Sequence, residues 1–391
     1  MKNILVISCS IIYQDARVKS YIQSLKNHGY SISVISLKEN DSDPLFNRED
    51  GYINYMIATR YIGDSLVSYI RYYLLFAIRC FFLVSKIALR ERLDVVHYNN
   101  LPNFPVFAAL IPRIRGASII LDNHDLIGVM FTSKFSEKKA PFYLRAILGM
   151  EQKLSMNFAH RIITADHNQK TALVEDGIPE EKIDVFLNLA NTEWFKPQIK
   201  AVRSDNEFRL IYHGTIAERL GIDLAIKAVA KARDFVPNLK FYLIGKGDFL
   251  KECLDLIEGL GLEENVLPSN CYYPVTSLPE IIGRMDVGII PNRRTPATDR
   301  FMLPVKLLEY VQMGLPVIVP RLNIIENYFS DGMLMFFEPG DSAQIAECII
   351  KLYESKDLRE KLVNNSKGFI SEHNWERQDK DYIHMIESLY R

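Results

Sequence analysis

Short apolar runs rich in Val and Ile alternate with longer segments of helical periodicity through most of the chain, and the pattern starts afresh halfway along. In the first half the strand-like runs cover residues 4–7, 31–36, 94–98, 117–122, 161–165 and 183–186. In the second half they cover residues 208–212, 240–244, 287–291, 315–319 and 334–337. Such alternation is typical of βαβ units, whose strands form parallel sheets. The sequence therefore predicts an α/β fold with two Rossmann-like sheets.

The chain has 391 residues, enough for two hydrophobic cores. Residues 187–205 contain Pro197 and many polar side chains, which predicts a linker between the two halves. A parallel sheet binds ligands at the carboxyl ends of its strands. Two such sheets facing each other would form a cleft, so the polar residues that directly follow each strand are the candidates for a functional site.

Composition excludes several classes of protein. The formal net charge is −1, which does not suit a nucleic-acid-binding protein. The five cysteines form no Cys-x-x-Cys pair, which argues for reduced thiols and against a zinc site or a disulfide framework. The apolar run at residues 4–7 is too short for a signal peptide. We therefore expect a cytoplasmic protein.

Residues 69–89 form the one membrane-like segment of the sequence. A spanning helix needs about 20 apolar residues with few charges, and here Arg71, Arg79 and Lys86 interrupt the run. At about 100° per residue these three and Arg90 fall on one face of a helix. We expect no transmembrane span. Two interpretations remain: the helix packs on the N-terminal sheet with its charges in water, or its exposed part lies on an anionic membrane.

The segment 299–320 (DRFMLPVKLLEYVQMGLPVIVP) carries the richest chemistry. Pro304 suits the first turn of a helix, where Lys306 and the backbone N–H groups would attract a phosphate. Glu309 would accept hydrogen bonds from two ribose hydroxyls. Gly314 would end the helix before the next strand. An ordinary capped helix explains one Lys and one Glu equally well, but it does not explain the whole string in this order.

This string resembles the signature of the retaining glycosyltransferases of family 4, which have the GT-B architecture. The pattern P-x-K-x-x-E-Y-x-x-x-G-x-P-V is met by Pro304, Lys306, Glu309, Tyr310, Gly314, Pro316 and Val317. Weaker similarities to the family lie at residues 191–197, 210–228 and 241–247, and in the last helix after Asn374 and Trp375. The resemblance covers nearly the whole chain.

The resemblance implies two Rossmann-like domains facing across a cleft. Residues 1–190 would bind the acceptor and residues 200–374 the nucleotide-sugar, with a last helix at about 375–391 packing back onto the first domain. It further implies transfer of a sugar with retention at the anomeric carbon, without a metal or cofactor, from a UDP- or GDP-sugar. Similarity to bacterial surface-polysaccharide enzymes suggests a glycan or lipid-linked acceptor, met at the inner face of the cell membrane.

The predicted donor-phosphate loop follows the strand at 208–212. Gly214 and Gly221 bracket this loop and would let backbone N–H groups approach a diphosphate. Where the family often has Arg and Lys, this sequence has Thr215 and Leu220. We expect Arg219 to supply the phosphate charge instead, although a solvent-facing arginine is nearly as good an explanation.

A second departure concerns the donor sugar. The family usually has two glutamates eight positions apart, and Phe301 occupies the first position here. We expect Asp299 and loop amides to replace it, and Lys306 with its neighbour Leu307 to hold the diphosphate. Gly245-Lys246-Gly247 is better explained as a structural turn, with a smaller contribution to nucleotide binding.

In the first half, His124 follows the strand at 117–122 and resembles the cleft histidine of the family, which contacts the reacting sugar. With Lys306 and Arg219 it completes the predicted catalytic set. Asp125 would either orient the imidazole or cap the next helix.

The acceptor side is less well marked, because residues 8–18 lack the family's glycine-rich loop. Asp15 is predicted to be a helix N-cap, and Arg17 could hold an anionic acceptor. Asn99, directly after the strand at 94–98, is a further candidate for that side. No Asp-x-Asp motif is present, so no metal site is predicted.

Two alternatives stay open at this point. A sugar-nucleotide epimerase shares this architecture, but it would need acid and base carboxylates in the cleft. A catalytically inactive sugar-nucleotide-binding scaffold fits the missing glutamate at position 301. Detection of free epimerised sugar nucleotide would identify the first, and donor binding without transfer would identify the second.

Overall fold

The computed structural model describes residues 2–49, 51–59, 66–99, 102–124, 126, 142–197 and 205–390. The chain divides into two compact units. The first comprises Met1–Leu187 together with Glu376–Arg391, and the second comprises Asn188–Trp375. The division falls within the predicted linker, whose described residues 188–197 form no helix or strand.

The first unit is built on a sheet of eight strands. They are β1 (Asn3–Ser8), β2 (Ser31–Lys38), β3 (Phe46–Glu49), β4 (Tyr52–Thr59), β5 (Val95–Asn99), β6 (Ser118–Asn123), β7 (Arg161–Thr164) and β8 (Ile183–Val185). Their order across the sheet is β3-β4-β2-β1-β5-β6-β7-β8. All neighbours are parallel except β3 and β4, which form an antiparallel edge. The central strands β1 and β5 are buried on both faces, as expected for strands covered by helices on each side.

In the described part of the first unit, five α-helices precede residue 188. They are α1 (Ala16–Asn27), α2 (Leu66–Arg90), α3 (Leu110–Ile114), α4 (Phe142–Phe158) and α5 (His167–Glu175). Gly29, with φ of +76°, follows α1 in the left-handed conformation that commonly ends helices.

The second unit contains a parallel sheet of six strands. They are β9 (Phe208–His213), β10 (Leu239–Ile244), β11 (Val266–Pro268), β12 (Val287–Ile289), β13 (Val317–Pro320) and β14 (Met335–Phe337), in the order β11-β10-β9-β12-β13-β14. The helices are α6 (Ile222–Ala232), α7 (Leu250–Gly259), α8 (Leu278–Gly283), α9 (Pro296–Arg300), α10 (Val305–Gln312), α11 (Asn323–Glu326), α12 (Ser342–Glu354) and α13 (Lys356–Glu372). Buried side chains of β9, β10, α6 and α12 form its main hydrophobic core.

The last helix, α14 (Trp375–Ser388), belongs to the first unit from Glu376 onward. Its Tyr382 is fully buried, and its hydroxyl lies 2.9 Å from Nδ1 of His97 on β5. The Tyr382 ring also packs against Tyr21 of α1, with 4.5 Å between ring centroids. Burial lowers the pKa of His97 to about 4, so this imidazole is neutral and serves packing.

Helix α2 differs from the sequence expectation in one respect. By length and composition alone, Val67–Arg90 is able to cross a membrane, so the three interrupting charges do not by themselves argue against a span. The helix also has a buried face, on which Phe76, Cys80 and Val84 are at most 1% exposed. That face is packed within the first unit, as the first interpretation of this helix requires.

Candidate functional site

The chain topology of the second unit creates a switch point beside β9. From β9 the chain continues to β10 on one side of the sheet, whereas β12 lies on the other side. Loops that follow strands on either side of such a point diverge and leave room for a ligand. Gly214 and Thr215 directly follow β9, so these predicted donor residues lie at this position.

A buried carboxylate cluster lies at the carboxyl end of β9. His213, the last residue of β9, has its Nε2 atom 2.7 Å from Oε2 of Glu309 on α10. Its Nδ1 atom lies 2.9 Å from the hydroxyl of Tyr310. Because a carboxylate only accepts hydrogen bonds, Nε2 of His213 donates to Glu309, while Nδ1 pairs with the Tyr310 hydroxyl. Glu309 is 4% exposed and Tyr310 is fully buried.

Two glycines make room for side chains of the site, Gly288 for Tyr310 and Gly214 for Lys306. A Cβ atom added to Gly288 on β12 would lie 2.4 Å from Cδ2 of the Tyr310 ring, so only glycine leaves space for that ring. Gly214 has a φ of +113°, and a Cβ there would approach Cε of Lys306 to 3.3 Å. The glycine after β9 therefore allows the lysine stem to pass close to the backbone.

Lys306, in the first turn of α10, is held in an environment that disfavours its charge. Its Nζ atom lies 4.7 Å from the centroid of the Tyr212 ring. Burial, together with the charge of Arg219, lowers the pKa of Lys306 to about 8, although Glu309 acts in the opposite direction. The helix begins at Val305 rather than at Pro304, which occupies the N-cap position. The lysine and the leading N–H groups of α10 therefore lie together.

Arg219 lies on a short 3-10 helix, Glu218–Leu220, between β9 and α6. The backbone N–H of Arg293 donates to the carbonyl of Arg219, and Nε of Arg293 donates to the carbonyl of Glu218. Arg293 is itself fixed by Asp223, whose two oxygens both lie 2.7 Å from its NH2 group. The buried Nε atom of Arg219 has no hydrogen-bond partner within the described ranges. No sequence pattern had indicated this support of Arg219 by Arg293 and Asp223.

The glycine turns beside the site are set by close backbone packing. A Cβ on Gly245 would lie 1.8 Å from the carbonyl oxygen of Gly214, and one on Gly247 would lie 1.8 Å from that of Ile216. A Cβ on Gly221 would lie 2.0 Å from the carbonyl oxygen of Pro291. The loops after β9, β10 and β12 therefore pack backbone against backbone, which gives these glycines a structural role.

The other predicted donor residues have contacts of their own. The carbonyl of Thr215 accepts from the Tyr212 hydroxyl at 2.6 Å. Leu307 is fully buried, and its N–H donates to the carbonyl of Pro304. The carboxylate of Asp299 accepts from the side chain of Asn323 at 2.7 Å.

Asp299 also forms an ion pair with Arg294, its Oδ1 atom lying 3.4 Å from Nε. These contacts give Asp299 a structural role at the start of α11, and no described contact joins it to Lys306 or Glu309. Its place in the donor site stays a prediction.

In the first unit, a buried ion-pair chain lies at the carboxyl end of β6. Arg17 on α1 makes a bidentate contact with Asp122, at 2.7 Å from Nε to Oδ2 and 2.6 Å from NH2 to Oδ1. Its NH1 group donates to the carbonyl of Phe186 at 2.7 Å. Nε2 of His124 lies 3.3 Å from Oδ2 of Asp122. The carboxylate that accompanies His124 is therefore Asp122, a partner that sequence reasoning did not identify.

These contacts set the charge states of Asp122 and His124. Asp122 is fully buried, and although burial raises its pKa, the charge of Arg17 outweighs that effect and the net shift is downward. Burial lowers the pKa of His124, but the Asp122 carboxylate raises it more, so the net shift is upward. Asp122 is therefore a fixed anion, and His124 retains its proton to a higher pH than a free imidazole.

The remaining acceptor-side predictions have mixed outcomes in the structure. Asp15 is the N-cap of α1, since its side chain accepts from the N–H of Val18 at 3.1 Å. Asn99 was expected after its strand, but β5 extends through it; it is fully buried and its amide donates to the carbonyl of Ile7. Arg17 forms an ion pair with Asp122. Asp125 lies outside the described residues. The acceptor roles of Asp15, Arg17 and Asn99 stay predictions.

Among the described residues, no group of three or more His, Cys, Asp or Glu side chains converges as a cation site.

Two family models match the chain in succession. Residues 16–194 match Glycosyltransferase Family 4, and residues 195–369 match Glycosyl transferases group 1. A curated relative is the alpha-galactosylglucosyldiacylglycerol synthase of Streptococcus pneumoniae, 23% identical over 300 residues, which are 72% of this chain and 74% of that protein.

Solved structures agree over the whole length. Sucrose-phosphate synthase from Thermosynechococcus elongatus has a TM-score of 0.79 at 14% identity, covering 100% of this chain and 99% of that one. HepE from Anabaena in complex with UDP-glucose has a TM-score of 0.72 at 15% identity, covering 99% of this chain and 100% of that one. Such neighbours establish the fold, and the two family models together extend over nearly all of the sequence. The chain is therefore a glycosyltransferase of the GT-B fold, and its second unit belongs to the group 1 glycosyl transferases.

Proposed function

We propose that this chain transfers a sugar from a nucleoside-diphosphate sugar to a glycan or lipid-linked acceptor, with retention at the anomeric carbon and without a metal ion. The observation that carries the proposal is the pair of cations, Lys306 and Arg219, beside the glycine turn after β9. Both cations lack full compensation where they lie. The charged form of Lys306 is disfavoured, since its pKa is lowered, and the buried Nε of Arg219 has no hydrogen-bond partner in the described residues. A diphosphate between them would satisfy both groups.

The buried carboxylate cluster supports the assignment of the nucleotide end. His213 donates to one oxygen of Glu309, Oε2, which fixes the plane of the carboxylate. Each carboxylate oxygen has two acceptor sites, so Glu309 keeps the capacity to accept two hydroxyl protons. Adjacent hydroxyls of a ribose present that pair of donors. We infer that Glu309 holds the ribose while Lys306, three residues earlier on α10, holds the diphosphate.

In the proposed reaction, the bond between the anomeric carbon and the diphosphate oxygen breaks, and its electron pair leaves with the diphosphate. The acceptor oxygen forms its bond on the same face of the sugar, and its proton passes to the departing phosphate oxygen. Negative charge grows on the diphosphate in the transition state, where Lys306, Arg219 and the leading N–H groups of α10 stabilise it. His124, oriented by Asp122, would contact the reacting sugar.

The relatives support the choice of acceptor and donor. The Streptococcus pneumoniae relative is named a synthase of a glycosylated diacylglycerol, which supports a lipid or lipid-linked acceptor for this chain as well. The HepE complex with UDP-glucose supports a UDP-sugar donor. An acceptor of this kind would place the enzyme at the cytoplasmic face of a membrane.

A thermal-shift screen against UDP, GDP, ADP and their sugars tests the donor. A ligand at 100 times its dissociation constant adds about 2.7 kcal/mol to the free energy of unfolding. Lys306→Met should lose most of this stabilisation, whereas Lys251→Met, which changes an exposed lysine on α7 of the same unit, should keep it.

The nucleotide-sugar that stabilises the protein is then incubated with a glycan and a lipid acceptor panel, and the product linkage is determined by NMR. A product of retained configuration is expected. No stabilisation by any nucleotide, or an epimerised sugar nucleotide as the product, would overturn the proposal.

A further inference from the structure

Helix α2 has two apolar faces, and one of them is in water. The buried face carries Phe76, Cys80 and Val84. The opposite side exposes a line of large apolar side chains spaced four residues apart: Ile70 at 48%, Leu74 at 49%, Ile78 at 52% and Phe82 at 67%. A core helix needs only the first face, so the second requires another explanation.

The elements next to α2 continue this pattern. Helix α2 packs against α3 and the preceding 3-10 helix Phe104–Ala109, and that 3-10 helix packs against α4. The rings of Phe107 and Phe158 join the latter two at 5.0 Å between centroids. The exposed apolar residues of α3 include Leu110 and Ile114, and α4 exposes Tyr143, Ile147, Met150 and Leu154. We call these exposed side chains of α2, Phe104–Ile114 and α4 the apolar surface.

The exposed apolar side chains are unevenly distributed along the chain. Of the 23 exposed large hydrophobic residues found in the described part of the chain, 14 lie on these three segments. Single exposed hydrophobic residues are normal, whereas clustered ones mark an interaction site. The apolar surface lies entirely within the first unit, and none of its residues takes part in the sugar-transfer chemistry proposed above.

The charges of the same segments are almost all positive. They carry seven Lys and Arg residues against a single acidic residue, Glu151, although the whole chain has a net charge of −1. Burial raises the pKa of Glu151 to about 7, which weakens that one negative charge further. On α2, Arg71, Lys86 and Arg90 are exposed. At about 100° per residue, Arg71 lies within the exposed apolar line, Lys86 borders it, and Arg90 lies about 80° beyond its edge.

We propose that the apolar surface docks this protein on an anionic lipid bilayer, with α2 lying along the membrane and its basic side chains at the headgroups. Apolar side chains beside clustered Lys and Arg are the combination that binds such a surface. A second copy of the chain fits poorly, since an isologous contact would bring the two sets of cations together. A spanning helix fits poorly because Phe76, Cys80 and Val84 are held inside the unit.

Liposome flotation tests the docking on the full-length protein, with vesicles of phosphatidylcholine alone and with added phosphatidylglycerol. Wild type should float with the anionic vesicles at low salt and lose much of this binding at high salt, where surface charges are screened. Each basic residue near an anionic surface is worth about a fivefold gain in partitioning. Replacing Arg71, Lys86 and Arg90 by Gln should therefore weaken binding on the order of 100-fold.

A second variant replaces the exposed line, Ile70, Leu74, Ile78 and Phe82, by Gln, which favours helix and leaves the buried face of Phe76, Cys80 and Val84 unchanged. It should not float on any vesicle. The matched control replaces exposed Lys251, Lys361 and Lys367 of the second unit by Gln and should float like wild type. Circular dichroism and the affinity for UDP-glucose verify that each variant is folded, and they separate failure of docking from failure of the proposed sugar transfer.

Several results would overturn the proposal. The first is that wild type floats on neither kind of vesicle. The second is that the variant with Gln in the exposed line floats as well as wild type. The third is that binding does not depend on lipid charge or on salt. Resistance of the bound protein to extraction with alkaline carbonate would show a spanning helix instead. A dimer in light scattering that the line variant dissociates, without flotation of wild type, would assign the surface to self-association.

Discussion

If Lys306 binds the donor diphosphate as proposed, donor binding should depend on pH in a range where few side chains titrate. With a pKa of about 8, its amine is mostly charged at pH 7 and mostly neutral at pH 9. The charged fraction falls from about nine tenths to about one tenth between these values. If only the ammonium form binds the diphosphate, the apparent dissociation constant for a nucleotide-sugar rises about tenfold, in proportion to the loss of the competent form.

Isothermal titration calorimetry with UDP-glucose at intervals from pH 7 to pH 9 measures this effect. Titration at pH 8.5 in two buffers of different ionisation enthalpy should also show proton uptake, because a bound diphosphate raises the pKa of Lys306. The control is Lys306→Arg, which stays charged throughout. Any pH dependence that arises from the nucleotide base or from other residues remains in that control.

A second measurement uses the free protein. The unfolded chain holds the lysine proton up to pH 10.5, whereas the folded chain releases it near pH 8. Between these values the unfolded state binds more protons, so the free energy of unfolding should rise with pH relative to Lys306→Met, by at most about 3 kcal/mol. Equal pH dependence of UDP-glucose affinity in wild type and Lys306→Arg would refute the assignment of Lys306 to the diphosphate.

Four further predictions concern single side chains. Glu309→Ala would strip a buried partner from His213, so Glu309→Gln is the cleaner variant. We expect it to reduce nucleotide affinity in calorimetry and nearly keep the thermal midpoint; unchanged affinity would remove Glu309 from the site. His213→Ala should cost about 1.5–3 kcal/mol of stability in urea unfolding, because a hydrogen bond to a buried carboxylate is lost, and a cost near zero would contradict the buried carboxylate cluster. His124→Ala should lower kcat far more than the affinity for a nucleoside diphosphate, which steady-state kinetics and calorimetry together would detect; full activity would return His124 to a structural role. Arg219→Gln should weaken UDP-glucose binding about tenfold or more, whereas exposed Arg284→Gln in the same unit should not, and equal affinities would argue against Arg219 as a phosphate ligand.

Most strands of the two sheets could be predicted from apolar runs because a strand covered on both faces needs continuous apolar residues. The hairpin of β3 and β4 was missed since β3 is a polar edge strand, Phe46–Glu49, without that signal. Asn99 shows how a small error in a strand end matters. The strand was expected to stop at Tyr98, yet it continues by one residue, which buries the side chain that was assigned to the acceptor.

The sequence predicted residues that are close along one helix better than residues that are paired across a sheet. Spacing within one helix places Lys306 and Glu309 near each other, so the string in α10 could be interpreted from sequence alone. Pairings such as Arg17 with Asp122, 105 positions apart, or His213 with Glu309, 96 positions apart, carry no local pattern. These pairs depend on which strands become neighbours in the sheet. A parallel sheet allows several strand orders, so the pairs could not be predicted.

The participation of α14 in the first unit has a consequence for how the protein is made. Residues 188–375 separate the two pieces of that unit, and at about 5–20 residues per second their synthesis takes on the order of 10–40 s. During this interval Tyr21 and His97 lack the cover of Tyr382. The amino-terminal unit, although translated first, is therefore the last to be completed, and the intervening unit has the opportunity to fold before it.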